Sequence, residues 1–275
     1  MSKCSLPVIV SIATLPSRIG NMRPALESLL GGDLVPDRIL VVITDYSPRE
    51  KCGFVIPDFL KDPAFTRGIV EVIVSSRDWG PGTKSLGALE HISGNCILVA
   101  ADDDVAYQPY FLSTLARAQS ERRDCSFSYF TYRARGLTVG QGCDGFSFYS
   151  PNLSGLREFV EAHVVGTTLH YHDDLWISFF LFSCGIEVLK VSPPNDGSSV
   201  YTQTIADESL RNMTGDASRD RIVSEGLPML VRNGGLSISQ RVYLESVRLF
   251  DLIRQLPARS LNRARIIVGS EKARI

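Results

Sequence analysis

Cys96-Ile97-Leu98-Val99-Ala100-Ala101, followed at once by Asp102-Asp103-Asp104, is the stretch on which the fold is decided. A short apolar run without polar alternation reads as a strand buried on both faces, the pattern of a parallel sheet. Three consecutive carboxylates closing such a strand repel one another unless something cationic sits among them. The alternative is a solvated acidic turn or a helix N-cap, for which aspartate is well suited.

Outward from this stretch the same grammar repeats. Val8–Ala13, Arg38–Thr44 and Ile69–Ser75 are β-rich runs of the same kind. Helical spacing falls between them at Asn21–Leu30, Thr83–Ile92 and Pro109–Glu121. Strands alternating with helices predict an α/β fold, with a mostly parallel central sheet flanked by helices. In such sheets ligands bind outside the carboxyl ends of the strands. Thr14–Arg18, Asp45, Asp78–Lys84 and Asp102–Asp104 all follow strand ends, so topology alone gathers polar residues on one rim.

Farther along, Cys125–Arg133 reads as one alternating strand and Gly136–Gly145 as a glycine-rich turn or mobile loop. Phe146–Tyr149 is a further strand, Leu153–His163 a helix, Leu175–Cys184 a strongly apolar helix and Glu187–Val191 a last strand. Ser192–Asp220 is rich in polar residues and turn formers and suits a long loop that orders on ligand binding. Ser239–Leu256 is an amphipathic helix. The expected organisation is a domain over residues 1–238, with a basic helical tail over 239–275 packed on it.

Bulk properties narrow the function. The chain has 275 residues, 44% hydrophobic and 21% charged, enough for a sizeable core. A formal net charge of -1 gives no global field to recruit nucleic acid, so none is expected as a partner. Cysteines at 4, 52, 96, 125, 143 and 184 form no CxxC pair and fit a reducing compartment. The apolar start around Val8–Ala13 runs straight into Pro16-Ser17-Arg18 without a small-residue cleavage pattern. No charge-free apolar run reaches the length of about 18 residues needed to span a bilayer, so a cytoplasmic location is expected. The segment Arg241–Ile275 carries eight Lys+Arg against three Asp+Glu. Such a segment can lie peripherally on an anionic membrane, or pack its apolar stripe on the domain.

Other segments carry chemistry. In Trp79-Gly80-Pro81-Gly82-Thr83-Lys84 the glycines allow close backbone approach to a ligand. Lys84 in the first helical turn opposes the helix dipole unless an anion compensates. His170-Tyr171-His172-Asp173-Asp174 places two acids where a strongly apolar helix begins, a dipole-matched start.

A strand ILVAA followed by DDD, fourth in order and about a hundred residues in, resembles the DxD signature of GT-A-fold nucleotide-sugar glycosyltransferases. The Trp79–Lys84 stretch looks like the WGPxTK segment of some bacterial members. The resemblance covers roughly residues 7 to 190. It implies Mn²⁺ or Mg²⁺ on Asp104 and Asp102, bridging the phosphates of a sugar nucleotide, with UDP-sugars favoured. Asp102 also faces the ribose, and Asp103 joins the donor-binding set although its side chain leaves by the other face. Thr14 and Arg18, in the loop after the first strand, would hold nucleoside and phosphates. Asp45 would contact the base, and Asp78 and Lys84 would line the donor site.

By the same resemblance, His172-Asp173-Asp174 matches the acidic pair of inverting members, with Asp174 as catalytic base and Asp173 orienting it. His170 or His172 would either complete the metal shell or simply pack. Gly142–Tyr149, with Asp144, falls on the acceptor side. Trp176, Phe146 and Tyr149 are candidate sugar platforms, whereas Phe148 and Phe179–Phe180 are expected in the core. The donor half spans about 1–107 and the acceptor half about 108–238, with Asn212–Arg221 as a lid. The activity implied is transfer of a sugar to a hydroxyl of a glycan or glycolipid (lipid-linked) acceptor, with inversion. A nucleotidyltransferase would also use a carboxylate pair and metal, but TLPSR lacks the glycine-rich loop of that class. A non-catalytic carbohydrate- or nucleotide-binding protein of the same fold is the remaining alternative.

Overall fold

The computed structural model describes residues 6–194, 199–204 and 225–255 of the chain. At its centre is a seven-stranded sheet in the order β10-β6-β9-β4-β1-β2-β3. The strands are β1 (Val8–Ala13), β2 (Arg38–Ile43), β3 (Val70–Val74), β4 (Ile97–Ala101), β6 (Cys125–Ser128), β9 (Phe146–Tyr149) and β10 (Glu187–Lys190). All pairings are parallel except those of β9, which is antiparallel to both β4 and β6.

The apolar runs account for the layering. Along β1, Ile9 belongs to one core, with Leu40, Val42, Leu98 and Ala100. Val8, Val10 and Ile12 belong to the other, with Val41, Val99 and Ala101. Alternate residues point to opposite faces, so unbroken hydrophobicity buries both. Helices α3 (Thr83–Leu89), α5 (Leu156–His163) and α6 (Asp173–Ser183) bring Leu86, Val160, Trp176 and Phe179 to the first core. Helices α1 (Arg23–Leu30) and α4 (Phe111–Glu121) bring Leu26, Leu29, Phe111 and Leu115 to the second. A one-turn helix α2 (Pro63–Thr66) precedes β3.

Three regions depart from the sequence expectation. The run Cys125–Arg133 is not one strand: β6 ends at Ser128, and β7 (Thr131–Ala134) starts a separate hairpin with β8 (Leu137–Gly140). The supposed loop Gly136–Gly145 therefore contains a strand. The hairpin turns at Arg135 (φ 46°) and Gly136 (φ 89°), the two positive values that match the twist of a tight hairpin. Within the expected loop Ser192–Asp220, β11 (Tyr201–Gln203) pairs antiparallel with β5 (Val105–Tyr107), a strand beginning directly after the acidic triplet. Both are three residues long, below what periodicity resolves.

Beyond it lie a helix over residues 225–233, α7, and the helix α8 (Ile238–Gln255). The near end of α8 is anchored: Gln240 donates to the carbonyls of Phe182 and Ser183, and Leu244 is buried in the first core. The expected lid Asn212–Arg221 and the tail beyond 255 lie outside the described residues. No described helix is long and apolar enough to cross a membrane.

Candidate functional site

The strand order 3-2-1-4 puts a switch point between β1 and β4, since the chain leaves β1 in one direction and returns on its other side. Clefts form at such points, beyond the carboxyl ends. The register pairs Ile12 with Ala101, so the residues leaving each strand, Thr14 and Asp102–Asp104, emerge side by side. A cleft of about 650 Å³ opens there, within the range of roughly 300–1,000 Å³ typical of small-molecule sites. Its lining includes Thr14, Arg18, Asp78, Lys84, Asp102, Asp103, Asp104, Asp173 and Asp174. Of the catalytic, metal and donor-binding residues expected from sequence, only Asp45 is absent from that lining; it is exposed, and Thr44 and Ser47 nearby line the cleft instead.

The acidic triplet divides by depth. Asp103 is buried, accepting hydrogen bonds from Thr14 Oγ1 (2.6 Å) and from the Arg18 guanidinium. Arg18 also pairs with Asp104 at 2.8 Å. Burial lifts the Asp103 carboxyl to about 6, with Arg18 and Thr14 pulling the other way. Burial, and then the charge of Asp102, also raise Asp104. Asp102 and Asp104 keep part of their surface open, as expected for alternate residues. Arg18 Nε is buried without an acceptor.

Lys84 occupies a different place from a phosphate-binding lysine reaching outward. Only 9% of its side chain is exposed, and its Nζ lies 2.8 Å from Asp102 Oδ1 and 3.5 Å from Asp173 Oδ2. Burial alone would lower its pKa, but Asp102, Asp173 and Asp174 outweigh it and hold the amine well above the usual lysine value. The backbone there is pinned as well, because Ser11 Oγ on β1 donates to the Lys84 carbonyl.

Asp173 and Asp174 open α6, where the helix dipole favours negative charge. Asp173 is buried, and its Oδ2 has no hydrogen-bond donor beyond the long contact to Lys84. Asp174 Oδ1 accepts from the Gly142 amide at 2.9 Å. Burial and the Asp173 charge push Asp174 up to about 8, with Lys84 opposing. Gly142 is glycine for a spatial reason: a Cβ there would meet Lys84 Nζ at 2.8 Å and Asp174 Oδ1 at 3.1 Å. Two carboxylate groups, one from each side of the cleft, thus converge on a single enclosed lysine.

The remaining turn is self-supporting. Asp78 Oδ1 accepts from Gly80 N (2.7 Å), and Thr83 Oγ1 accepts from Trp79 N (2.9 Å). The His170 ring lies against Gly80, where a Cβ would meet it at 3.3 Å. Burial lowers the His170 pKa. His172 also lines the cleft. Asp144 is raised by burial and lies beside Cys143, which is in the lining.

The aromatic platforms expected from sequence are misplaced. Trp176 and Phe146 are fully buried in the core beneath the site, and Trp176 fills the space beside Gly82. Tyr149 lies under the Arg123 guanidinium at 5.6 Å and is outside the cleft lining. Phe148, Phe179 and Phe180 are core residues as expected. The phenylalanines and tyrosines that do line the cleft are Phe54, Phe130, Tyr132, Tyr171 and Tyr201. No sequence signal marks any of them as cleft residues; Phe130 and Tyr132 lie inside the run that reads as one strand.

No family model matches the chain, and no curated protein matches it in sequence. Among solved structures, the chain is similar to a crystal structure of GalNAc-T7 with UDP, GalNAc and Mn²⁺. That likeness has a TM-score of 0.50 at 11% identity, covering 70% of this chain and 45% of the other. The chain therefore spans less than half the length of that protein. The likeness establishes a GT-A-like fold for the sheet and its flanking helices.

Proposed function

We propose that the protein is a glycosyltransferase that moves a sugar from a nucleotide-diphosphate donor, UDP-linked by preference, to a hydroxyl of a glycan or lipid-linked acceptor. The observation that carries this reading is the convergence of the acidic strand end, Lys84 and the Asp173-Asp174 pair on one cleft at the switch point of a GT-A-like sheet. Residues 1–238 form the catalytic domain in this reading and 239–275 a basic tail. The protein of similar fold, GalNAc-T7, was crystallised with UDP, GalNAc and Mn²⁺.

The donor set fits a hard divalent ion in part. Asp102 and Asp104, each partly exposed and each paired on one side, with Lys84 and Arg18 respectively, offer carboxylate oxygens, the chemistry Mn²⁺ and Mg²⁺ prefer. Among the described residues no group of three or more His, Cys, Asp or Glu surrounds one metal position, so phosphate oxygens and water would complete the shell. Bound there, the ion supplies neutralisation of the departing diphosphate. Arg18, with its unsatisfied buried Nε, is the donor group that a phosphate oxygen would satisfy. Thr14 and Asp103 hold that guanidinium in place, and Asp78 shapes the turn that receives the donor.

Asp174 is the general base for the acceptor hydroxyl in a single, inverting displacement. Its carboxyl is raised to about 8 by its surroundings, so turnover is expected to rise with pH as Asp174 ionises. Asp173 sets its field and shares Lys84 with Asp102, so base and leaving-group site are fixed relative to each other.

The test is a thermal-shift screen of nucleotide-diphosphate sugars with and without Mn²⁺, followed by product analysis by NMR. Stabilisation that requires nucleotide sugar and metal together is the expected result. A chain indifferent to every donor, or a product that retains anomeric configuration, contradicts this reading.

A further inference from the structure

Two aromatic rings stand out of the fold near the Asp173-Asp174 pair: the Gln141 amide bonds the Phe130 carbonyl and the adjoining Gly142 amide bonds Asp174, while Tyr171 lies two residues before Asp173. Phe130 is 46% exposed and Tyr171 is 51% exposed, and both line the cleft. Neither sits on a loose segment. The Phe130 carbonyl accepts from both Ser128 Oγ and the Gln141 amide, which clamps the bend between β6 and β7. Tyr171 closes a 3-10 turn, Thr168–Tyr171, anchored by fully buried Leu169, and its ring is braced edge-on by His170 at 5.0 Å. A large apolar ring held in water by a fixed backbone loses no solvation it would otherwise keep by meeting an apolar ligand face.

Charge is distributed unevenly around the same cleft. The lysines and arginines among its described lining residues, Arg18, Arg49 and Lys84, all precede β5 in the chain. The later lining residues contribute the carboxylates of Asp173 and Asp174 and the amides of Gln141 and Gln203, with no lysine or arginine among those described. Lys84 is already enclosed by Asp102 and Asp173. Asp102, Asp173 and Asp174 share that one ammonium, so an anionic acceptor beside Asp173 and Asp174 would meet an excess of acidic groups. A neutral sugar presents C–H faces to rings and hydroxyls to amides, with no charge to desolvate.

Resting on the transferase reading above, we infer that Phe130 and Tyr171 form the acceptor platform, and that the acceptor end is an uncharged hexose. Uronic acids, phosphorylated sugars and other anionic ends are excluded from that position.

The experiment is a saturation-transfer NMR titration of the full chain with UDP and Mn²⁺ present. Its probes are methyl hexopyranosides, methyl hexuronides and hexose 6-phosphates. Neutral hexosides bind, the charged ones bind at least tenfold more weakly, and Phe130→Ala and Tyr171→Ala each weaken the neutral ligand by about tenfold. Phe130→Trp, which keeps a ring, retains binding and guards against a folding artefact. Equal or tighter binding of the anionic probes overturns the inference. So does neutral binding untouched by both alanine variants, or no neutral binding to a chain that still binds UDP. UDP binding, titrated separately, is unaffected by either variant; a chain that binds no UDP at all sinks the transferase reading itself.

Discussion

Lys84 Nζ lies 2.8 Å from Asp102 Oδ1, which ties the first turn of α3 to the acidic end of β4 across the switch point. The same ammonium reaches the start of α6 through Asp173. Three elements distant in sequence are locked at one charge. Removing one partner of a buried ion pair leaves the others uncompensated, at a cost of about 3–5 kcal/mol. Lys84→Met is therefore expected to lower Tm markedly, as read by calorimetry. Lys84→Arg, which keeps the charge but not the compact shape, should retain most stability and lose turnover.

Asp174→Asn removes the proposed base while leaving an oxygen to accept from Gly142. Turnover is expected to fall by roughly 10²–10⁴-fold, with donor affinity unchanged in a calorimetric titration. An active Asp174→Asn enzyme would move the base elsewhere.

The same carboxyl governs a pH effect on stability. Its folded pKa is raised to about 8 from 3.8, so between those values the native state holds a proton that the unfolded chain has lost. Its contribution is complete below about 4 and is lost as pH rises through about 8. Wild-type Tm should accordingly decline over that window relative to Asp174→Asn. The variant is expected to be the more stable protein at pH 8, by a few degrees, roughly 2–4 °C per kcal/mol. Parallel pH–Tm curves for the two proteins would count against the shift.

Asp104→Asn keeps the size of the residue but removes its charge beside Arg18. The expected result is loss of any Mn²⁺-dependent stabilisation by UDP-sugar, measured against the variant's own apo Tm. Thermal shift with and without metal reads both.

Gly142→Ala inserts a methyl group against Lys84 Nζ and Asp174 Oδ1. Both side-chain ends must shift by tenths of an ångström. Misplacement of a reacting group on that scale costs on the order of 10- to 100-fold in rate, while the fold survives. Steady-state kinetics beside a denaturation curve separates the two effects.

The core strands and the rim they create were legible because unbroken apolar runs such as Ile97–Ala101 leave little choice of environment. The acidic triplet and the pair at 173–174 were legible as well, since local pattern places acids at a strand end and a helix start. What local pattern does not carry is which way a ring faces. Trp176 and Phe146 looked like platforms yet serve the core, while Phe130 and Tyr171 owe their exposure to a backbone clamp and a short turn. Nor does it carry pairing: the role of Lys84 depends on carboxylates 18 and 89 residues away. The strands β5 and β11 were missed because three residues cannot display a period.

That small ladder also sets the order in which the molecule can be finished. The amide of Thr204 bonds the carbonyl of Asp104, and Tyr201–Gln203 runs alongside Val105–Tyr107. A chain emerging from the ribosome can complete β1 to β4 and their helices early. The segment that braces the acidic turn arrives about a hundred residues later, a long loop to close. Nascent fragments ending before this point would hold a formed sheet and an unbraced acidic turn, so the rim is completed after the core.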